Sequence, residues 1–137
     1  MPTDLEALGQ AVKRAQYRNH RTMDAALREV GTTLVQWDAL RAVERMPGAS
    51  AHDLALATFQ SDQAFGTLAN RLVDRGLVIR SAGRGRRIEH RLTDEGAAVL
   101  EAGHVVTADV LPGLFAPLDE QARATLMALL GELTADA

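Results

Sequence analysis

The chain of 137 residues has no cysteine. That excludes a disulfide framework, a thiolate zinc site, an iron–sulfur cluster and a thiol redox sensor. Aromatic side chains number three Phe, one Trp and one Tyr, too few to build a stacked cage easily. Lys13 is the only lysine, so nearly all positive charge is guanidinium. Apolar runs are a few residues long, which predicts no membrane partner. The acidic opening Met1-Pro2-Thr3-Asp4-Leu5-Glu6 lacks a basic segment followed by an apolar one. It predicts no secretory signal and a cytoplasmic location. His20, His52, His90 and His104 show no metal-ligand spacing, and no nucleophile elbow, phosphate loop or zincin motif occurs. No metal, no cofactor and no enzymatic activity are therefore expected.

What is present suits one globular domain: 47% hydrophobic and 24% charged residues. The net charge of −3 is unevenly spread. Residues 1–70 carry net −1 and residues 92–137 net −7, whereas residues 71–91 carry net +5. A basic block in an acidic chain is the electrostatic footprint of a polyanion partner; the plainer reading is a solvated, Arg-rich hairpin.

The spacing of Leu5, Leu8, Val12, Ala15, Asn19, Met23, Leu27 and Val30 predicts a long amphipathic helix over residues 4–30, stopped by Gly31. Thr33 with Gln36 predicts a capping box opening a second helix with Trp37, Ala39, Leu40 and Val43 inside, ended by Pro47-Gly48. Ser50 with Asp53 opens a short helix. Ser61 caps another to about Arg75, with Phe65, Leu68, Leu72 and Val73 inward and Gly76 as its stop. These two form a helix-turn-helix. Residues 77–81 and 86–92 then read as strands around the turn Gly83-Arg84-Gly85, which makes a wing. Thr93 caps a further helix that Pro112-Gly113 kinks or ends. Asp119 starts a last helix with Ala122, Leu126, Leu129, Leu130 and Leu133 on one side, and the tail from Thr134 frays. The fold class expected is mainly α (α+β), a winged helix-turn-helix with long terminal helices.

The order of elements resembles the MarR family of bacterial transcription regulators. Residues 33–40 look like its "LTxxQxxxL" opening, Asp53-Leu54-Ala55 like its "ELA", and residues 71–78 like its "RLexkGLV". Arg86-Arg87 stands where the wing arginine does, and Leu92-Thr93-Asp94-Glu95-Gly96 resembles "LTxxG". Two departures stand out. The acid before the wing arginine is absent, which implies a more mobile wing tip. Gly66-Thr67 replaces a Ser-Arg pair, and Gly66 suggests close approach to another backbone, the alternative being a tolerated defect. The resemblance implies one regulator domain over residues 1–137. In it, residues 33–92 form the DNA-binding lobe, and residues 1–30 and 97–137 the dimerisation helices. The implied partners are a second copy of the chain and a pseudo-palindromic operator in double-stranded DNA.

On this reading Ser61, Asp62, Gln63 and Ala64 begin the recognition helix, and Thr67, Asn70 and Arg71 continue its outward face. Gln63 presents a donor and an acceptor, as adenine requires. Asp62 suits the helix dipole, or a cytosine amino group. Thr67 and Asn70 are equally ordinary solvated residues. The wing arginines Arg84, Arg86 and Arg87 fit phosphate or a narrow minor groove. Arg80 and Arg91 flank the wing as candidate ion-pair partners. The resemblance also implies a small aromatic or anionic effector, with Tyr17, His20, Arg21, Trp37 and His104 as candidate lining; plain packing is the competing reading. The functional expectation is a homodimeric, sequence-specific regulator of the repressor type. The alternative is a winged-helix protein-interaction module that does not bind DNA.

Overall fold

Every helix begins at a short polar residue that accepts from a free amide of its first turn. In the computed structural model, which describes residues 1–135, these are Asp4, Thr33, Ser50, Ser61, Thr93 and Asp119. They open α1 (Leu5–Arg28), α2 (Leu34–Arg45), α3 (Ala51–Ala57), α4 (Asp62–Asp74), α5 (Asp94–Phe115) and α6 (Glu120–Leu133). Strands β1 (Val78–Ala82) and β2 (Ile88–Leu92) pair antiparallel between α4 and α5, with Arg80 opposite His90. The last two residues, which end the segment 97–137 and the tail expected to fray, lie outside the described residues.

The Ser50–Asp53 capping box closes in both directions. The one expected at Thr33 is only half made. The Thr33 hydroxyl accepts from the Gln36 amide, but the Gln36 side-chain oxygen takes Arg75 Nη1 at 2.7 Å instead of turning back. A charged donor outcompetes a neutral backbone amide. Gly76, at φ +75°, turns the chain out of α4 into β1, a conformation that side chains with a Cβ resist.

The core lies under the helix-turn-helix, where Leu40, Leu54, Phe65 and Leu72 are fully buried. The C-terminal end of α1 joins it through Met23, Ala26 and Leu27, and α5 through Leu100. Two glycines of α5 permit this packing. A Cβ on Gly103 would collide with the Trp37 indole, and one on Gly96 with the Leu77 carbonyl. Trp37 Nε1 donates to the Leu100 carbonyl at 3.1 Å, so the buried indole N–H is satisfied. Gly66, expected to allow a close approach, meets none within the chain: beyond its own helix and neighbours, no described atom lies within 4 Å of the Cβ it lacks. Pro112 does not end α5, which runs on to Phe115.

The two ends of the chain are different. Leu5, Leu8 and Val12 of α1 and Met127, Leu129, Leu130 and Leu133 of α6 are exposed, and α6 buries no residue. The chain exposes 9555 Å². A compact monomer of its mass exposes about 6,900 Å². By length and composition α5 is also apolar enough to cross a membrane, yet its Gly96, Leu100, Gly103 and Thr107 are packed within the protein.

Candidate nucleic-acid interface

The exposed side of α4 follows from its buried one. Phe65, Leu68, Ala69 and Leu72 turn inward, which leaves Gln63, Thr67, Asn70, Arg71 and Asp74 outward at helical spacing. Ser61 accepts from the Ala64 amide at 3.1 Å, so its hydroxyl is first a cap. The exposed Asp62 meets His52 Nδ1 at 2.9 Å, and this carboxylate raises the imidazole's pKa above its ordinary value. Asp62 is thus paired across the turn with α3. Thr67 returns its hydroxyl to the Gln63 carbonyl at 3.2 Å, the bond typical of threonine within a helix. Asn70 Oδ1 accepts from Arg80 Nη2 at 2.8 Å. The Gln63 amide and the Arg71 guanidinium make no hydrogen bond to other described residues.

The wing arginines divide. Arg84 and Arg86, at the tip, have no acid partner among the described residues. Arg87 instead reaches across to α3, where Nη2 lies 3.0 Å from Asp53 Oδ2 and 3.3 Å from the Gly48 carbonyl. This contact ties the base of the wing, at Arg87, to the helix-turn-helix. The acid missing from the wing sequence is supplied by the helix-turn-helix, through the same Asp53 that closes the capping box. Ser50 and then Arg87 hold the Asp53 carboxyl below the usual carboxylate range. Arg91 lies 3.7 Å from Glu89, as a flanking ion pair. Arg80 bonds no acid, but His90 and Asn70.

Arg75 is a residue the sequence did not single out. It clamps the end of α4 to the α1–α2 corner, donating to Gln36 Oε1 and, at 2.9 Å, to the Gly31 carbonyl. No local pattern distinguishes it from a solvated arginine, because its partners lie about forty residues upstream.

Of the five candidates for effector lining, two share a groove. Tyr17 and Arg21 line a groove of about 630 Å³ beside Arg18, Thr22, Glu29 and Val110. Within it the Arg21 guanidinium lies 5.7 Å from the Tyr17 ring centre. Trp37 is buried, with His104 edge-on at 5.2 Å and Arg41 over its ring at 4.8 Å. His20 is half-buried near Asp38, whose carboxyl is pushed up by burial. Trp37 is therefore a packing residue, held in place by its N–H bond.

Comparison with known proteins agrees with this geometry. The model of the MarR family matches residues 30–88. An HTH-type transcriptional repressor of Mycobacterium tuberculosis is 35% identical over 101 residues, 69% of this chain and 73% of the relative. The chain belongs to the MarR family. A mutant MarR of Escherichia coli, solved with operator DNA, shares the fold with a TM-score of 0.88 at 23% identity, over 93% of each chain. The M. tuberculosis MarR family protein solved in complex with DNA is 26% identical, with a TM-score of 0.75, over 92% of this chain and 96% of its own. In complex with p-aminosalicylic acid it aligns at 28% identity and a TM-score of 0.76, over 93% and 98%. The winged-helix architecture and the family resemblance both stand.

Proposed function

We propose that this MarR-family protein is a homodimeric, sequence-specific DNA-binding repressor, cytoplasmic and without enzymatic activity. The observation that carries the reading is the exposed polar face of α4 beside a wing whose tip arginines have no acid partner. Phosphate neutralisation supplies affinity and groove contacts supply sequence choice. Gln63 and Arg71 have side chains free for such contacts. Ser61, Asp62, Ala64, Thr67 and Asn70 lie on the same helix surface, and Arg84 and Arg86 extend it as phosphate or minor-groove contacts. Arg87 orients the wing and shares its charge with the backbone of the duplex. Residues 33–92 form the DNA-binding lobe.

A second copy of the chain is the partner that suits the terminal helices, residues 1–30 and 97–137. Contiguous apolar faces of this extent are rare on monomers. The surface in excess of a compact monomer matches a large obligate interface. A two-fold dimer places its recognition helices on the half-sites of a pseudo-palindrome.

The related M. tuberculosis protein was solved with salicylic and p-aminosalicylic acids. In this chain the groove at Tyr17 and Arg21 offers an aromatic face and two guanidinium groups, which suits a small aromatic anion as effector. The experiment that tests the regulator reading is salt-dependent binding to the DNA directly upstream of the protein's own gene. Binding that is tighter than to scrambled duplex and weakens steeply with salt supports it. Indifference to both sequence and salt favours the protein-interaction module.

A further inference from the structure

The geometry points to Arg80 as a positioning residue that makes Asn70 a donor-only reader of base edges. The inference rests on the DNA-binding reading above. It begins at His90, which is buried directly across the hairpin from Arg80. His90 Nδ1 lies 3.0 Å from the Ala49 carbonyl oxygen, which only accepts, so Nδ1 carries the proton. Arg80 Nε, which can only donate, faces Nε2 at 3.4 Å, so Nε2 presents its lone pair there. The buried imidazole thus steadies the base of the guanidinium.

The far end of the guanidinium reaches α4, where Nη2 meets the Asn70 side-chain oxygen at 2.8 Å. A guanidinium has only donors, so it must face the amide oxygen and not the amide NH2. Chemistry alone settles which way Asn70 points. Asn70 is exposed on the same face as Gln63 and Thr67. With its oxygen held, it turns two N–H donors outward. The oxygen's second lone pair sits beside a fixed cation, which disfavours an approaching amino group and favours an electronegative edge. Adenine is read by an asparagine that supplies both a donor and an acceptor. Asn70 is instead matched to guanine N7 and O6 or to thymine O4. Gln63, with no such tether, keeps both capacities.

The test selects preferred duplexes for the full-length protein from a randomised library, then measures affinity for each single base-pair change. Wild type should prefer guanine or thymine over adenine at one position per half-site, by roughly fivefold or more. Asn70→Ala should lose the preference at that position and keep the others. Arg80→Ala should admit adenine there, and Arg80→Lys, which retains a donor, should restore the wild-type preference. Both residues are exposed, and circular dichroism checks that each variant folds. If Asn70→Ala and Arg80→Ala weaken every duplex by one common factor, Arg80 is only a tie between wing and helix, and the inference is overturned. If wild type enriches no sequence, the regulator reading itself fails.

Discussion

Arg87 of the wing and Asp53 of α3 form an ion pair at 3.0 Å, and this pair joins the wing to the helix-turn-helix. Both partners are exposed to solvent, so screening leaves the pair itself little weight in global stability. Its effect is on order at the tip, where Gly83 donates to the Arg87 carbonyl and Arg87 to the Arg84 carbonyl. Arg87→Ala is expected to speed amide exchange at Gly83 and Arg87 while leaving global stability almost unchanged. Asp53→Ala should speed the same exchange and also lower global stability, because it opens the Ser50 capping box and frees the Ser50 amide. Residue-resolved hydrogen exchange with chemical denaturation checks both outcomes.

Phe59 is the one described residue other than glycine with a positive φ, +59°, and its side chain is 89% exposed. The left-handed conformation costs a bulky residue about 1–2 kcal/mol, and this ring recovers little by packing. Phe59→Gly should raise stability by roughly 0.5–1 kcal/mol, since glycine relieves the strain but adds entropy to the unfolded chain. Thermal unfolding should shift upward by about 2–4 °C. A lower midpoint would show that Phe59 packs well enough to offset the strain.

Gly103 and Trp37 leave no room between them for a Cβ, so Gly103→Ala forces the indole or α5 to move. Overpacking of this kind costs about 1–3 kcal/mol. Trp37 is the only tryptophan, so its fluorescence reports the displacement directly. A variant with wild-type stability and an unchanged spectrum would mean that α2 and α5 pack more loosely than this geometry requires.

Asp24 gives the pH dependence a sign. Its carboxylate accepts from the Leu34 amide and from Arg28 Nε, both at 2.8 Å, and these bonds hold its pKa below the ordinary 3.8. A carboxyl depressed in the folded state stabilises it above the unfolded value, and that stability is lost as pH falls through the folded value. Asp24→Asn should therefore be less stable than wild type at neutral pH. The difference should shrink below about pH 3.8, as wild type loses the contribution. Urea unfolding across this range measures it, and a constant difference would contradict the assignment.

The fold was legible because its signals are local. Capping residues, the apolar spacing of α1, α2 and α4 and the alternation of β2 each fall within a few residues of one another. Gly66 stayed open for the same reason: a glycine within a helix signals space, and sequence does not say what, if anything, fills it. The wing anchor was hidden because Asp53 precedes Arg87 by 34 residues and already had a local role as a cap partner. Likewise Asn70 read as either a DNA-facing or a solvated residue, since its tether to Arg80 exists only once the hairpin folds back on α4. Gly103 carried no signal, because only the position of Trp37 shows what a side chain there would strike.

The central claim is that the wing supplies affinity and α4 supplies sequence choice. The direct measurement is a salt titration of binding to cognate and scrambled duplexes, with Arg86→Ala and Gln63→Ala beside wild type. Arg86→Ala should weaken both duplexes by similar factors. It should reduce the log–log salt slope by about 0.9 for each phosphate no longer neutralised, twice over in a dimer. Gln63→Ala should leave the slope nearly unchanged and cost about 1–3 kcal/mol for each base edge it no longer reads, on the cognate duplex alone. Weakening of cognate binding alone by Arg86→Ala, or of both kinds equally by Gln63→Ala, would contradict the account.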